Sequence, residues 1–175
     1  FGTTIVQITH HFDDVFALAN RIAIMREGRI VQVGETSEVF LHPSDTFVAE
    51  FLGIGNIIRG TSSKSGNITQ ITTVDGTAFF AASGIIGDVV ATLHAEDVIL
   101  SKAPFASSAR NCLSGTVSEV IPAGSTVRVI LDVGFLLTAL LTRESCRELH
   151  LESGSRVYAT FKASAVHVIP ITSEQ

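Results

Sequence analysis

Permanent positive charge and short alcohols occur together in the second half of the sequence. Arg110 and Lys162 are cations at any physiological pH. Hydroxyl side chains accompany them at Ser107, Ser108, Thr142 and Ser145. A small dianion that leaves water needs this combination, because guanidinium and ammonium groups offset its lost hydration while hydroxyls direct hydrogen bonds to its oxygens. Thr142 and Ser145 also fall at the start of a predicted helix, where N–H groups and the helix dipole favour anions.

A simpler interpretation of the same residues stays open. Charged side chains at strand ends are usually solvated, and serines are common in turns, so Arg110 and Lys162 need not belong to any site.

The composition narrows the choice of ligand. A net charge of −5 argues against a broad phosphate-backbone binder, and one Tyr without any Trp offers little surface for stacking bases, so we predict no nucleic-acid partner. An anion site must be a local cluster of donors.

His10 is a second candidate for chemistry. It follows the strand-like run from 3 to 9, which predicts a buried strand. A histidine at such a position is most often a polar cap. It can also donate a hydrogen bond to a phosphate, because the C-terminal ends of strands in α/β sheets face ligand crevices. We find no cluster of side chains with the spacing of a metal site.

An internal repeat organises the rest of the chain. The stretch 56–61 matches 111–116 at an offset of 55, and 89–95 matches 157–163 at an offset of 68, so the second copy carries 13 more residues. A helix capped by Thr142, with Cys146 and Leu149 facing inward and Gly154 beyond it, accounts for the difference. At positions equivalent to Arg110 and Lys162, the first copy has Gly55 and His94.

The first 53 residues have a mixed α/β pattern. Beyond the predicted strand at 3–9, Val15, Leu18, Ala19 and Ile22 lie on one face of a predicted helix. Two strands around Glu27-Gly28, a helix capped by Thr36 and another capped by Ser44 follow. After Gly53 the chain changes to short strands separated by turn residues. We therefore predict a mainly β fold of tandem OB-like barrels after a short α/β region, divided as 1–53, 54–104 and 105–175.

Residues 1–53 resemble the end of an ABC-transporter nucleotide-binding domain. The resemblance rests on Ile8-Thr9-His10-His11, on the stretch FDDVFALANRIAIMREGRIVQVG, and on Thr36-Ser37-Glu38-Val39-Phe40 with His42-Pro43. It implies that His10 is the switch-loop histidine that contacts the γ-phosphate of ATP, although the family usually has Asp where this chain has His11. The chain contains no GxxxxGK[ST] loop, signature motif or Walker B strand. We predict that it does not hydrolyse ATP by itself and that a longer parent protein does so with ATP and Mg²⁺.

The second repeat resembles the molybdate-binding module known as the Mop or TOBE domain. The resemblance spans about residues 106–169 and rests on Ser108-Ala109-Arg110-Asn111, Thr142-Arg143-Glu144-Ser145 and Lys162-Ala163-Ser164-Ala165-Val166. It implies an oxyanion site, often completed across a dimer interface. The residues that it assigns to that site are Ser108, Arg110, Thr142, Ser145, Lys162 and Ala163.

Together the two resemblances imply a regulatory region of a molybdate or tungstate importer. Such a region senses the oxyanion in the cytoplasm and inhibits import, in a homodimer bound to transmembrane permease subunits at the inner face of the membrane. The alternative is a TOBE module of a sugar, polyamine or iron importer that serves only for interaction or dimerisation. Oligonucleotide binding, which OB-like barrels also perform, is a third possibility that the acidic balance disfavours.

Overall fold

The computed structural model describes residues 2–171. The N-terminal region contains a short helix, a two-stranded hairpin and two further helices, with the bounds α1 Phe12–Leu18, β1 Arg21–Arg26, β2 Arg29–Glu35, α2 Thr36–Leu41 and α3 Thr46–Phe51. Positive φ angles of 50° at Glu27 and 78° at Gly28 make the tight turn between β1 and β2, as predicted from this pair. None of the described helices is long and apolar enough to cross a membrane.

Several local predictions for this region are wrong in detail. Residues 3–9 form no strand, because no other part of the described chain pairs with them, and their side chains are largely exposed. Helix α1 ends at Leu18, and Ile22 belongs to β1, because hydrogen bonding of the hairpin takes precedence over the helical spacing of apolar residues. Thr36 is the first residue of α2 and donates its hydroxyl to the Ala19 carbonyl.

Helix α3 shows why caps are hard to place to the residue. Its N-cap is Asp45, whose carboxylate accepts a hydrogen bond of 2.8 Å from the Val48 N–H, so the predicted cap at Ser44 is wrong by one position. An ionised carboxylate is a stronger acceptor than a hydroxyl and suits the helix dipole. Val48 and Leu52 are buried, and Gly53 ends the element at a φ of 71°.

The remainder of the chain is predominantly β, as predicted, and forms two curled five-stranded sheets of the OB-like kind. Two single-turn 3-10 helices, η1 (Ala95–Asp97) and η2 (Ala163–Ala165), interrupt it. The strands of the first repeat and the short strand after it are β3 Asn56–Ser65, β4 Ile68–Thr73, β5 Ala78–Ala81, β6 Gly87–Leu93 and β7 Ile99–Ser101. The second repeat contains β8 Asn111–Ala123, β9 Thr126–Asp132, β10 Leu136–Thr142, helix α4 Arg143–Glu148, β11 Arg156–Phe161 and β12 His167–Pro170.

The two repeats exchange their last strands. The strand orders are β12-β6-β3-β4-β5 and β10-β9-β8-β11-β7, so β12 completes the first barrel and β7 completes the second. Both exchanged strands are antiparallel to their neighbours, with His167 opposite Thr92 and Ile99 opposite Thr160. One buried apolar cluster runs through both barrels, and the Phe79 and Phe161 rings meet across it at 6.1 Å. The division at 104/105 stays a prediction about folding units.

Equivalent asparagines fix the two barrels against each other. The Asn111 amide accepts from the Phe80 N–H at 2.7 Å and donates to the Phe80 carbonyl at 2.9 Å. The Asn56 amide bonds in the same way to the Thr138 backbone, at 2.6 and 2.9 Å. Each asparagine begins one repeat and completes the backbone hydrogen bonding of the other, which is the structural basis of the matching sequence at 56–61 and 111–116.

Glycine is required at the equivalent positions of β3 and β8. A Cβ on Gly60 would lie 2.7 Å from the Thr72 carbonyl oxygen, and one on Gly115 would lie 2.7 Å from that of Asp132. Real Cβ atoms do not approach a backbone oxygen so closely, so the repeated glycine permits the tight crossing of neighbouring strands.

Candidate functional site

The strand register places Arg110 and Lys162 at the same end of the second barrel. The final pair of the β8–β11 ladder is Asn111 opposite Phe161. Arg110 immediately precedes Asn111, and Lys162 immediately follows Phe161. Opposite residues in an antiparallel ladder have Cα atoms about 4.5–5.5 Å apart. Both side chains are exposed. The two charges are therefore available to one ligand at the edge of the barrel.

A cleft of about 300 Å³ adjoins this end of the barrel, and Ser108 and Lys162 both line it. The segment before β8 supplies the hydroxyls, and the Ser107 hydroxyl accepts a 3.2 Å hydrogen bond from the Ala109 N–H, which shapes a local turn. Thr160, which is 2% exposed, also lines the cleft, and its hydroxyl has no hydrogen-bond partner in the described part of the chain.

Carboxylates limit where an anion can sit in this cleft. Glu96 and Asp97 line it together with Lys162. Within residues 2–171 no carboxylate oxygen lies within 4.0 Å of the Lys162 ammonium, so that cation is not neutralised by an ion pair. A dianion is therefore favoured at the Arg110 side of Lys162 and repelled from the η1 side.

Thr142 and Ser145 lie elsewhere in the same barrel. Thr142 caps α4 as predicted: its hydroxyl accepts from the Ser145 N–H at 3.1 Å and donates to the Ser145 hydroxyl at 2.9 Å. Neither residue lines the cleft, and β10, which leads to them, is separated from β11 by two strands in the sheet order. One chain thus presents the predicted site in separate parts. Ser108 and Lys162 line the cleft, and Arg110 lies beyond the same ladder pair as Lys162 without lining the cleft. Thr142 and Ser145 lie two strands away.

Ala163 is buried directly beside Lys162. Its carbonyl accepts hydrogen bonds from the Ala82 N–H at 2.8 Å and from the Val166 N–H at 3.4 Å. These bonds fix η2 against the end of the first barrel's sheet. The position of Lys162 is consequently set by contacts with both repeats.

His10 lies far along the chain from these residues and makes a local cluster of its own. It is exposed, and its ring centroid is 4.2 Å from that of His11, which is the N-cap of α1. The His11 N–H donates to the Thr9 hydroxyl at 3.0 Å. Nothing in the described chain brings His10 to the cleft, and its contact with a nucleotide remains a prediction for a longer protein.

The equivalent end of the first barrel is closed to a ligand. A Cβ on Gly55 would lie 2.8 Å from the Ala95 Cβ, so the counterpart of Arg110 has no room for a side chain. His94, the counterpart of Lys162, has its Nε2 at 3.1 Å from the Phe40 carbonyl and its Nδ1 at 3.8 Å from the Glu96 carboxylate. This end joins the barrel to the N-terminal region.

A histidine pair that we did not predict extends the same junction. His42 follows α2, and its Nδ1 lies 3.3 Å from the Nδ1 of His167, the first residue of β12. The His167 Nε2 lies 3.1 Å from the Pro43 carbonyl oxygen. The pair spans 125 positions of sequence, and no local pattern signals such a contact.

Burial lowers the pKa of His167 below its ordinary value of 6.5. The hydrogen bond to the Pro43 carbonyl raises the pKa, and the positive charge that His42 can carry lowers it. The net direction is downward, so the fold favours the neutral ring.

Comparison with known proteins agrees with this architecture. Residues 107–168 match the model of the TOBE domain family. The molybdate-bound structure of the cytoplasmic molybdate-binding protein ModG superposes with a TM-score of 0.59 at 29% identity, covering 66% of this chain and 96% of that one.

Longer proteins match along almost the whole sequence. The molybdate/tungstate import ATP-binding protein WtpC of Pyrococcus abyssi is 39% identical over 168 residues, which cover 95% of this chain and 47% of that protein. The sulfate/thiosulfate import ATP-binding protein CysA of Burkholderia mallei is 35% identical over 169 residues, or 93% of this chain and 45% of that protein. The chain spans about half the length of the curated relatives that it matches, and corresponds to the C-terminal part of WtpC.

Proposed function

Because this chain carries a TOBE domain and is homologous to the C-terminal part of molybdate/tungstate import ATP-binding proteins, we propose that its second barrel binds molybdate or tungstate. The observation that supports this most is the position of Arg110 and Lys162 one residue beyond the same ladder pair, beside Ser108. Two fixed cations and a hydroxyl at one edge match the requirements of a compact dianion.

The affinity that such a site provides is sufficient for a sensor. Hydrogen bonds to charged groups contribute about 1.5–3 kcal/mol each. Four or five of them reach the roughly 8 kcal/mol that corresponds to micromolar binding. Thr142 and Ser145 lie apart from the cation pair, so we propose that they belong to the same site through a second copy of the chain, in a homodimer. Ala163 contributes by holding Lys162 in place.

The longer protein is proposed to be the ATP-hydrolysing subunit of an oxyanion importer. In it, ATP and Mg²⁺ are bound by a nucleotide-binding domain to which residues 1–53 belong, His10 contacts the γ-phosphate, and permease subunits cross the membrane while this subunit lies on its cytoplasmic face. Oxyanion binding to the second barrel then slows further import. Such inhibition requires that the oxyanion have different affinity for two global states of the dimer.

Calorimetric titration of this chain with molybdate, tungstate and sulfate tests the proposal. Arg110→Ala and Lys162→Ala should each weaken molybdate binding by about 1.5–3 kcal/mol, or roughly 10- to 150-fold. Arg156→Ala is the matched control, because Arg156 is an exposed cation at the other end of β11, and it should leave binding unchanged.

Each outcome of this titration has a definite meaning. Failure to bind any of the three anions at millimolar concentration overturns the proposal and leaves an interaction or dimerisation module of a sugar, polyamine or iron importer. Preference for sulfate over molybdate would instead align this chain with its sulfate/thiosulfate relatives, since sulfate is also a tetrahedral dianion.

A further inference from the structure

The ring nitrogens of the histidine pair face each other, unlike those of other histidines in the described chain. His94 has both ring nitrogens near protein oxygens, and the Nδ1 of His150 lies 2.9 Å from a backbone carbonyl. His42 and His167 instead place their Nδ1 atoms 3.3 Å apart, at the junction between the end of α2 and the start of β12. Two imidazole lone pairs are thus brought to one point on the surface.

The separation of these two nitrogens is that of two ligands on one metal ion. Zinc–imidazole bonds are about 2.0–2.1 Å long, and a tetrahedral angle between two of them places the nitrogens about 3.3–3.4 Å apart. The ring centroids of His42 and His167 are 5.0 Å apart, which is closer than two rings that point their nitrogens along one line. The rings are therefore inclined, a geometry compatible with lone pairs that converge on a third atom.

His167 is oriented in the way that metal-binding histidines usually are. Its Nε2 lies 3.1 Å from the Pro43 carbonyl, which can only accept, so Nε2 carries the hydrogen and Nδ1 keeps its lone pair. A hydrogen bond from the second ring nitrogen to a carbonyl fixes the tautomer and the orientation of a metal ligand. Burial lowers the pKa of His167, so no proton has to leave the ring before a metal binds near pH 7.

His42 is exposed and forms the accessible side of the pair. The Gln32 amide holds the backbone of this loop, because it donates to the His42 carbonyl at 2.9 Å and accepts from the Ser44 N–H at 2.8 Å. Without a metal, the two Nδ1 atoms share one hydrogen. His42 frees its Nδ1 by taking the tautomer with the hydrogen on Nε2, and both lone pairs are then available to a metal.

We propose that His42 and His167 form a binding site for a divalent transition-metal ion, with Zn²⁺ as the expected ion. This site goes beyond the proposed oxyanion binding and does not depend on it. Imidazole nitrogens suit zinc, copper and nickel, whereas Mg²⁺ and Ca²⁺ prefer oxygen ligands. Within residues 2–171 no third Cys, His, Asp or Glu joins the pair, so water completes the coordination shell. The ion ties together two elements that are 125 positions apart in sequence.

Titration of the unmodified chain with Zn²⁺, followed by NMR of the histidine ring nitrogens, tests the proposal. Two ligands provide about half the binding free energy of a complete structural zinc site, which corresponds to a dissociation constant of roughly 1–200 µM. The signals of His42 and His167 should shift together and saturate at one ion per chain, while those of His94 and His150 stay in place. Mg²⁺ should shift none of them. No shift of the pair at millimolar Zn²⁺ overturns the proposal.

The variants His42→Gln and His167→Gln measure the contribution of each ring. Each should weaken Zn²⁺ binding at least about tenfold, because even the loss of a group that only orients a ligand costs 10- to 100-fold. His42 is exposed, and His167→Gln keeps an amide donor for the Pro43 carbonyl, so both variants should fold. His150→Gln is the matched control, an exposed histidine outside the pair, and should leave the affinity unchanged. Unchanged affinity in either variant of the pair contradicts the proposal.

Thermal unfolding provides a second readout. An ion that binds only the folded pair stabilises the chain by mass action, so saturating Zn²⁺ should raise the unfolding midpoint of the unmodified chain and not that of His42→Gln. An equal rise in the variant would show that Zn²⁺ acts elsewhere, for example at the adjacent His10 and His11, and would overturn the proposal. Neither result depends on whether the chain binds molybdate.

Discussion

In the first barrel His94, the residue that follows β6, is hydrogen-bonded to the N-terminal region, whereas in the second barrel Lys162, the residue that follows β11, is exposed. Gly55 and His94 occupy the closed end, and Arg110 and Lys162 occupy the equivalent open end. The strands, the glycine crossings and the asparagine contacts are otherwise shared. A duplicated barrel has thus kept its framework while the same edge serves as a structural junction in one copy and as a candidate ligand site in the other.

The strongest test of the shared framework uses the asparagines. Asn56→Ala and Asn111→Ala should each lower the free energy of unfolding by about 2–5 kcal/mol, because each leaves partly buried backbone donors and acceptors unpaired. The Asn56 amide also donates to the Leu93 carbonyl at 3.1 Å, so its loss should be the larger. Urea denaturation measures both, with the exposed Asn20→Ala as a control that should change little. A negligible effect at either site would show that the barrels do not depend on the asparagine hydrogen bonds between them.

The closed end of the first barrel makes the next prediction. Gly55→Ala should destabilise the chain by about 1–3 kcal/mol through overpacking against Ala95. Gly84→Ala is matched to it, since a Cβ there meets nothing within 4 Å, and it should change stability by less than about 0.5 kcal/mol. Equal midpoints of urea denaturation for the two variants would contradict the idea that this end is sterically closed.

The cleft of the second barrel contains an unusual hydroxyl. Because the buried Thr160 hydroxyl has no hydrogen-bond partner among residues 2–171, Thr160→Val should stabilise the unliganded chain by about 1 kcal/mol. Thr126→Val should do the opposite by a similar amount, since the Thr126 hydroxyl donates to the Ala123 carbonyl at 2.8 Å. Thermal unfolding of the pair tests this, and destabilisation by Thr160→Val would mean that its hydroxyl has a partner after all.

The smallest expected effect concerns pH and the junction. The pKa of His167 is lower in the folded chain than its ordinary value of 6.5, so the unfolded chain binds the proton first as pH falls. Its contribution to stability is complete above pH 6.5 and is lost from there down to the folded pKa. Urea denaturation at pH 7.5 and 5.5 should therefore show a smaller loss of stability in His167→Gln than in the unmodified chain. The same loss in both would contradict the assigned role.

Repetition and local chemistry made much of the fold predictable. The offsets of 55 and 68 located the two barrels and the additional helix, and Thr142 caps that helix because a hydroxyl at this position meets the Ser145 N–H. The repeat also predicted that Arg110 and Lys162 occupy strand ends equivalent to those of Gly55 and His94. The strand register brings both cations to one edge of the barrel. Their role as anion ligands stays a prediction.

Long-range pairing is where the sequence was insufficient. The exchange of β7 and β12 depends on contacts between repeats, which a pattern of alternating side chains within one strand does not encode. Residues 3–9 were predicted to be a strand from their own side chains alone, but a strand exists only where a partner completes its hydrogen bonds. His42 and His167 meet only because β12 crosses to the first barrel.

Diffraction from crystals of this chain grown with tungstate, recorded at the tungsten absorption edge, tests the central claim most directly. The account predicts an anomalous peak within hydrogen-bonding distance of Arg110 and Lys162, with Thr142 and Ser145 of a second copy completing the shell. A tungsten peak at the Gly55–His94 end, or none near the cation pair in crystals grown with saturating tungstate, would contradict it.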